Sequence, residues 1–223
     1  LAGARFALIG EPTSLIPVIQ HKGIMMLALN IKGSSGHSSN PDLGNSAIDA
    51  AARVLTELGG RADLRARHHH AAFEVSYPTL NVGCIHGGDN PNRICGHVDL
   101  AFDVRILPGM DNAAVMAEIE SRLMPDLKQH GLGAKLTLLQ PFVQPFDCSG
   151  HELIETLRQM TGSEPRSVAF ATEAPFLTGL GIETVVLGAG SIDQAHQPDE
   201  YVELREVLPA VALQHCRWPP RPA

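Results

Sequence analysis

Residues 97–106, His-Val-Asp-Leu-Ala-Phe-Asp-Val-Arg-Ile, are the clearest strand in the chain. Val98, Leu100, Phe102, Val104 and Ile106 fall on one face, and His97, Asp99, Asp103 and Arg105 on the other. Successive side chains of an extended backbone point to opposite sides, so this period of two predicts a strand with one face in a core and one open. Asp103 and Arg105 share the open face, where they either pair with each other or serve a ligand.

The neighbouring segments build a domain around that strand. Ile24–Ile31 places Met25, Leu27, Leu29 and Ile31 on one face of a second strand. Ile48, Ala51, Ala52, Leu55 and Leu58 keep helical spacing up to Gly59-Gly60. Leu80–Ile85 is a strand ending at Gly87-Gly88, followed by the turn-forming run Asp89-Asn90-Pro91-Asn92-Arg93. Asp111 is placed to cap a helix whose inner stripe is Val115, Ile119 and Leu123, with Pro125 set to kink or restart it. Lys135–Leu139 is a last strand. The order strand, helix, strand, strand, helix, strand is that of a ferredoxin-like βαββαβ unit.

Outside this unit the pattern is that of an α/β domain. Phe6–Ile9 is a short buried strand delivering Glu11 at its carboxyl end, and Thr184–Leu187 is another, ending in Gly188 and Gly190. In open α/β sheets ligands bind in loops leaving the carboxyl ends of strands. His196, Asp199 and Glu200 follow there; His196 either caps the loop or binds a metal, as Glu11 is either a turn carboxylate or a ligand. A capping box, Ser149 to Glu152, opens a helix with Leu153, Ile154, Leu157 and Met160 inward, ended by Gly162. Thr172-Glu173-Ala174-Pro175 starts a short helix. A final helix is expected to turn Leu204, Val207, Leu208 and Val211 inward and to bend at Pro209, before a frayed tail from Pro219 to Ala223.

Bulk properties narrow the class. A 44% apolar and 18% charged chain of 223 residues is ordinary for a soluble protein of one large or two small domains. The net charge of −7 argues against nucleic acid, and the absence of a spanning apolar run argues against a membrane. Cys84, Cys95, Cys148 and Cys216 form no C-x-x-C pair and read as reduced, packed thiols of a cytoplasmic protein. His68-His69-His70 is either a zinc site or, as adjacent residues cannot all face one ion, a solvated loop. The polar loop Gly33–Ser39 lacks the spacing of a nucleophile elbow. The chain opens at Leu1 directly before a strand, which suggests the later part of a longer protein.

Six motifs stand in order: Gly10-Glu11-Pro12-Thr13-Ser14, Ser35-Gly36-His37-Ser38-Ser39, Gly87-Gly88 with Asn92-Arg93, Asp103-Val104-Arg105, Thr172-Glu173-Ala174, and Gln194-Ala195-His196-Gln197-Pro198-Asp199-Glu200-Tyr201. Together they resemble the acetylornithine deacetylases, within the two-metal amidohydrolases that include succinyl-diaminopimelate desuccinylase and glutamate carboxypeptidases. The resemblance implies a catalytic α/β domain, residues 1–21 and 140–223, interrupted by a dimerisation and lid domain, residues 22–139. It implies that Glu11 and His196 bind metal, and that His37 reaches the partner subunit's site to meet the oxyanion. It further implies that Asn92, Arg105, Thr172 and Glu173 contact substrate. The implied activity is hydrolysis of N²-acetyl-L-ornithine for arginine biosynthesis, with two divalent ions (zinc or cobalt) in a cytoplasmic homodimer. The family's other ligands and its general-base glutamate lie upstream of the Glu11 position, so the chain by itself is expected to be inactive. A desuccinylase, a carboxypeptidase-like hydrolase and a non-catalytic dimerising module are the alternatives.

Overall fold

The computed structural model describes residues 4–59 and 66–214. Residues 60–65, Cys216 and the tail Pro219–Ala223 lie outside the described residues. The chain forms two compact units, Leu1–Lys22 with Pro145–Ala223, and Gly23–Gln144. It begins with strands β1 (Phe6–Ile9) and β2 (Val18–His21) of the first unit. The second unit follows as β3 (Gly23–Lys32), α1 (Ala47–Gly59), β4 (Thr79–Gly87), β5 (His97–Ile106), α2 (Asn112–Gln129) and β6 (Gly133–Leu138). The chain then returns to the first unit with β7 (Phe146–Asp147), α3 (Leu153–Thr161), β8 (Arg166–Val168), α4 (Ala174–Gly179), β9 (Glu183–Val186) and α5 (Leu204–Gln214).

The second unit is the ferredoxin-like βαββαβ arrangement that the element order predicts, an antiparallel sheet in the order β4-β5-β3-β6. Its register is set by burial. Met25, Leu27, Leu29 and Ile31 lie opposite Val104, Phe102, Leu100 and Val98, and all eight are buried. A slip of one residue would turn this whole set to the open face. Burying one such side chain contributes about 1.5–3 kcal/mol, so the pairing is strongly specified. Val115, Ile119, Leu123 and Leu127 of α2 and Ala47, Ala50, Ala51, Val54 and Leu58 of α1 complete the core.

Asp111 caps α2 as its position suggests, accepting from the Ala114 amide at 2.8 Å. Asn112, fully buried, ties the start of this helix to the Val143 carbonyl at 2.8 Å. The helix runs on through Pro125 without a break. The buried stripe of α1 differs from the expected one. Ile48 is 48% exposed, and the alanine-rich stripe beginning at Ala47 faces inward instead. Both stripes have helical spacing, and the smaller side chains let the helix approach the sheet closely.

The first unit has a five-stranded sheet in the order β1-β9-β2-β7, with β8 also paired to β2. β1 and β9 are parallel neighbours, Phe6 opposite Glu183 and Ile9 opposite Val186. Val18, Phe146, Leu153, Leu157, Ala174, Val185 and Val186 form its core. Three expectations need correction here, the first being that Met160 of α3 faces inward: it is 39% exposed. The capping box is not formed, because Asp147 takes both the amide (2.9 Å) and the hydroxyl (2.7 Å) of Ser149, and α3 starts only at Leu153. In α5, Leu204 and Leu208 are 83% and 78% exposed and Val211 is also exposed, while Leu213 is the buried apolar side chain. Cys84 is exposed as well, whereas Cys95 and Cys148 are buried. Among the described residues no helix is long and apolar enough to cross a membrane.

Candidate active site

β1 and β9 leave the sheet side by side in the same direction, so the loops bearing Glu11 and His196 start at one edge. The loops are fastened backbone to backbone. Thr13 and Leu15 donate their amides to the Gly188 carbonyl at 3.3 and 3.0 Å, and Ser14 donates to the Gly190 carbonyl at 2.7 Å. The buried Thr13 hydroxyl accepts from the Gly188 amide at 3.2 Å. From α5, a Glu206 carboxylate oxygen accepts from the Gly190 amide at 2.7 Å. This network holds Ser14 and Leu15 at φ of 54° and 58°, left-handed values that cost a non-glycine residue about 1 kcal/mol or more each.

The two loops approach each other closely at Gly188. A Cβ there would lie 2.5 Å from the Glu11 carbonyl oxygen, so only glycine fits. Beyond it, Ser191 caps a short 3₁₀ turn, Ile192–Gln194, that leads to His196. His196 is exposed and left-handed at φ 64°.

Glu11 is half-buried, and its pKa is raised above the usual carboxylate value, first by burial and then by the negative charge of Glu173. Glu173 stands at the N-terminus of α4 without a side-chain capping bond. Thr172, buried beside it, accepts from the Ala174 amide at 3.1 Å. Glu11, Thr172 and Glu173 are thus drawn to one region, where two repelling carboxylates favour a cation. The donor set, carboxylate plus imidazole, suits zinc or cobalt. Among the described residues no three His, Cys, Asp or Glu side chains gather into a metal site, and the His68–His70 run is no exception. His70 instead lies edge-on to Phe73.

In the second unit, His37 and Asn92 come together. The strand-like bridge between His37 and Arg93, and the bond from the Ser38 amide to the Asn92 carbonyl (3.0 Å), join their loops. The Ser39 amide donates to His37 Nδ1 at 3.2 Å, so Nδ1 carries the lone pair and the neutral ring bears its proton on exposed Nε2. Arg105 is not part of this group. It lies eight residues beyond His97 along β5, about 25 Å at the rise of an extended strand. It pairs instead with its strand neighbour: its Nε bonds Asp103 Oδ2 at 2.9 Å, while buried Asp103 Oδ1 has no hydrogen-bond partner.

One polar residue here escaped the sequence reading. His21, at the end of β2, is fully buried and accepts from the Thr172 amide at 3.3 Å. The one signal for it was a His-Lys pair interrupting an apolar run.

Comparison with known proteins bears on the fold. The solved structure of aminopeptidase PepT from Bacillus cereus is similar in fold, with a TM-score of 0.66 and 21% identity over 84% of this chain and 49% of that one. A putative aminohydrolase from methicillin-resistant Staphylococcus aureus gives 0.65 and 20% over 92% and 55%. The dipeptidase Dug1p from Saccharomyces cerevisiae gives 0.64 and 13% over 95% and 56%. The chain therefore spans about half the length of these proteins. A family model described as the peptidase dimerisation domain matches residues 19–131, more than half of the 223 residues. By that match, the chain belongs to the peptidase dimerisation domain family.

Proposed function

We propose that this chain is the C-terminal portion of a metal-dependent amidohydrolase that cleaves N²-acetyl-L-ornithine into ornithine and acetate. The observation that carries the reading is the fastening of the Glu11 loop to the loop that leads to His196, at the carboxyl edge of a parallel strand pair, with the negative charge of Glu173 acting on Glu11. The six ordered motifs resemble those of the deacetylases, which is why this substrate is preferred over those of the sibling hydrolases. The remaining metal ligands and the general base would lie in sequence outside this chain.

In this reading Glu11 and His196 hold metal through a carboxylate oxygen and an imidazole nitrogen. Bound divalent ions supply Lewis-acid polarisation of the acyl carbonyl and acidify water. Glu173 attracts the ammonium of the ornithine side chain. Arg105 grips the α-carboxylate, which requires it to share its guanidinium between Asp103 and substrate. His37 donates its Nε2 proton in a hydrogen bond to the oxyanion.

The separation along β5 supports a homodimeric site. Arg105 lies near one end of β5, whereas the His37 and Asn92 loops are joined beyond its other end, next to Gly96. In this reading Asn92 goes with His37, whose loop it joins, and both come from the partner's lid. The test is a substrate panel for the intact, zinc- or cobalt-loaded protein. N²-acetyl-L-ornithine should give a higher kcat/KM than N-succinyl-diaminopimelate or a dipeptide, and Glu173→Gln should raise KM more than it lowers kcat. A preference for the succinyl substrate or the dipeptide would overturn the assignment.

A further inference from the structure

His21 lies in the interior of the first unit, 0% exposed, and belongs to none of the six motifs. Its ring packs at 5.3 Å, tilted by 32°, against that of Phe146. The two ring nitrogens have different partners. Nδ1 is 2.9 Å from the Lys22 carbonyl oxygen, which can only accept, so Nδ1 carries the proton. Nε2 is left with its lone pair and takes the amide hydrogen of Thr172, a residue 5% exposed. Burial pushes the imidazole down to about 4, which keeps it neutral at working pH.

The bonds continue from this ring toward the proposed site. Thr172, fixed by its amide, uses its hydroxyl to accept from Ala174 and so starts α4. Glu173 sits between those two anchored residues, and its carboxylate acts on Glu11. With the Nε2 acceptor gone, the Thr172 amide would be a buried donor without its partner, a loss that drives local rearrangement. The turn would shift, and Glu173 with it.

We propose that His21 is a positioning residue, a neutral Nδ1–H imidazole that holds the Thr172–Glu173 turn so that the Glu173 carboxylate meets the cationic end of the substrate. The proposal rests on the reading of Glu173 given above. A histidine retained only for packing would be replaceable by phenylalanine. One retained for this bond is replaceable only by a side chain with an acceptor at the Nε2 position, such as glutamine.

Two measurements test it on the intact protein. Long-range ¹H–¹⁵N correlation of histidine-labelled protein at neutral pH should show His21 protonated on Nδ1 and bare at Nε2. An Nε2–H tautomer or an imidazolium would overturn the assignment whatever the substrate. The second readout is the ratio of kcat/KM for N²-acetyl-L-ornithine to that for uncharged N²-acetyl-L-norvaline. His21→Phe and His21→Asn should reduce this ratio about tenfold with metal content unchanged, while His21→Gln keeps most of it. A ratio preserved in His21→Phe or His21→Asn would overturn the positioning role. Wild-type protein showing no preference for the cationic substrate would instead overturn the reading of Glu173.

Discussion

Replacing Gly188 with alanine tests how the two loops are held. The backbone at Gly188 is not left-handed, so the effect of the substitution is steric. The new methyl carbon would sit 2.5 Å from the Glu11 carbonyl oxygen and 2.7 Å from the Gly10 carbonyl carbon. Ordinary contact begins at 3.4 Å, so the loops must separate by the difference of 3.4 and 2.5, about 0.9 Å. Overpacking of this kind costs about 1–3 kcal/mol, which lowers the melting temperature by roughly 2–12 °C in a chain of this size. The functional loss should be larger. Metal–ligand distances tolerate shifts of about 0.2 Å, so moving the Glu11 backbone by several times that should weaken zinc about 10–100-fold. The assay is calorimetric titration of zinc into the metal-stripped intact protein, beside thermal unfolding. Gly10→Ala is the control from the same loop, since its Cβ meets nothing within 4 Å. Zinc affinity equal to wild type in Gly188→Ala, alongside a lowered melting temperature, would show that the loop contact does not set the Glu11 position.

Other predictions follow from the same geometry. His21 binds its proton less readily when folded, at about 4, than when unfolded, at 6.5. Its contribution is therefore fully present above about 6.5 and is lost as pH falls toward 4, amounting to about 2 kcal/mol by pH 5. Urea unfolding at pH 7 and pH 5 checks this, and His21→Gln should flatten the dependence; an unchanged slope in that variant would contradict it. Glu11 shows the opposite sign, its raised pKa marking a carboxylate that is less stable folded than unfolded at neutral pH. Glu11→Gln should accordingly raise the melting temperature of the metal-free protein while abolishing its stabilisation by zinc. His37→Ala should lower kcat about 10²–10³-fold with metal content intact, and mixing it with a His196→Ala variant should restore activity through mixed dimers.

The second unit was legible because its signals are local or face a single core. The alternation of β3 and β5 fixes their register, and Asp111 announces its helix. Arg105 and Asp103 pair across two residues of one strand, a relation any reading of that strand contains. The first unit was harder. The apolar residues of α5 follow a helical period, yet burial depends on what covers them, and among the described residues Leu204 and Leu208 are uncovered. Ser149 was a sound capping residue taken by a nearer acceptor, Asp147. His21 was illegible because its partner lies 151 residues away in sequence. The left-handed backbone of Ser14, Leu15 and His196 carries no glycine to signal it.

The central claim is that Glu11 and His196 grip the same metal centre. Crystals of the intact protein grown with zinc, with anomalous data collected on both sides of the zinc edge, test it most directly. The account predicts anomalous peaks about 2.0–2.2 Å from a Glu11 carboxylate oxygen and from a nitrogen of His196. Zinc bound in the intact protein with neither residue in its coordination shell would contradict it.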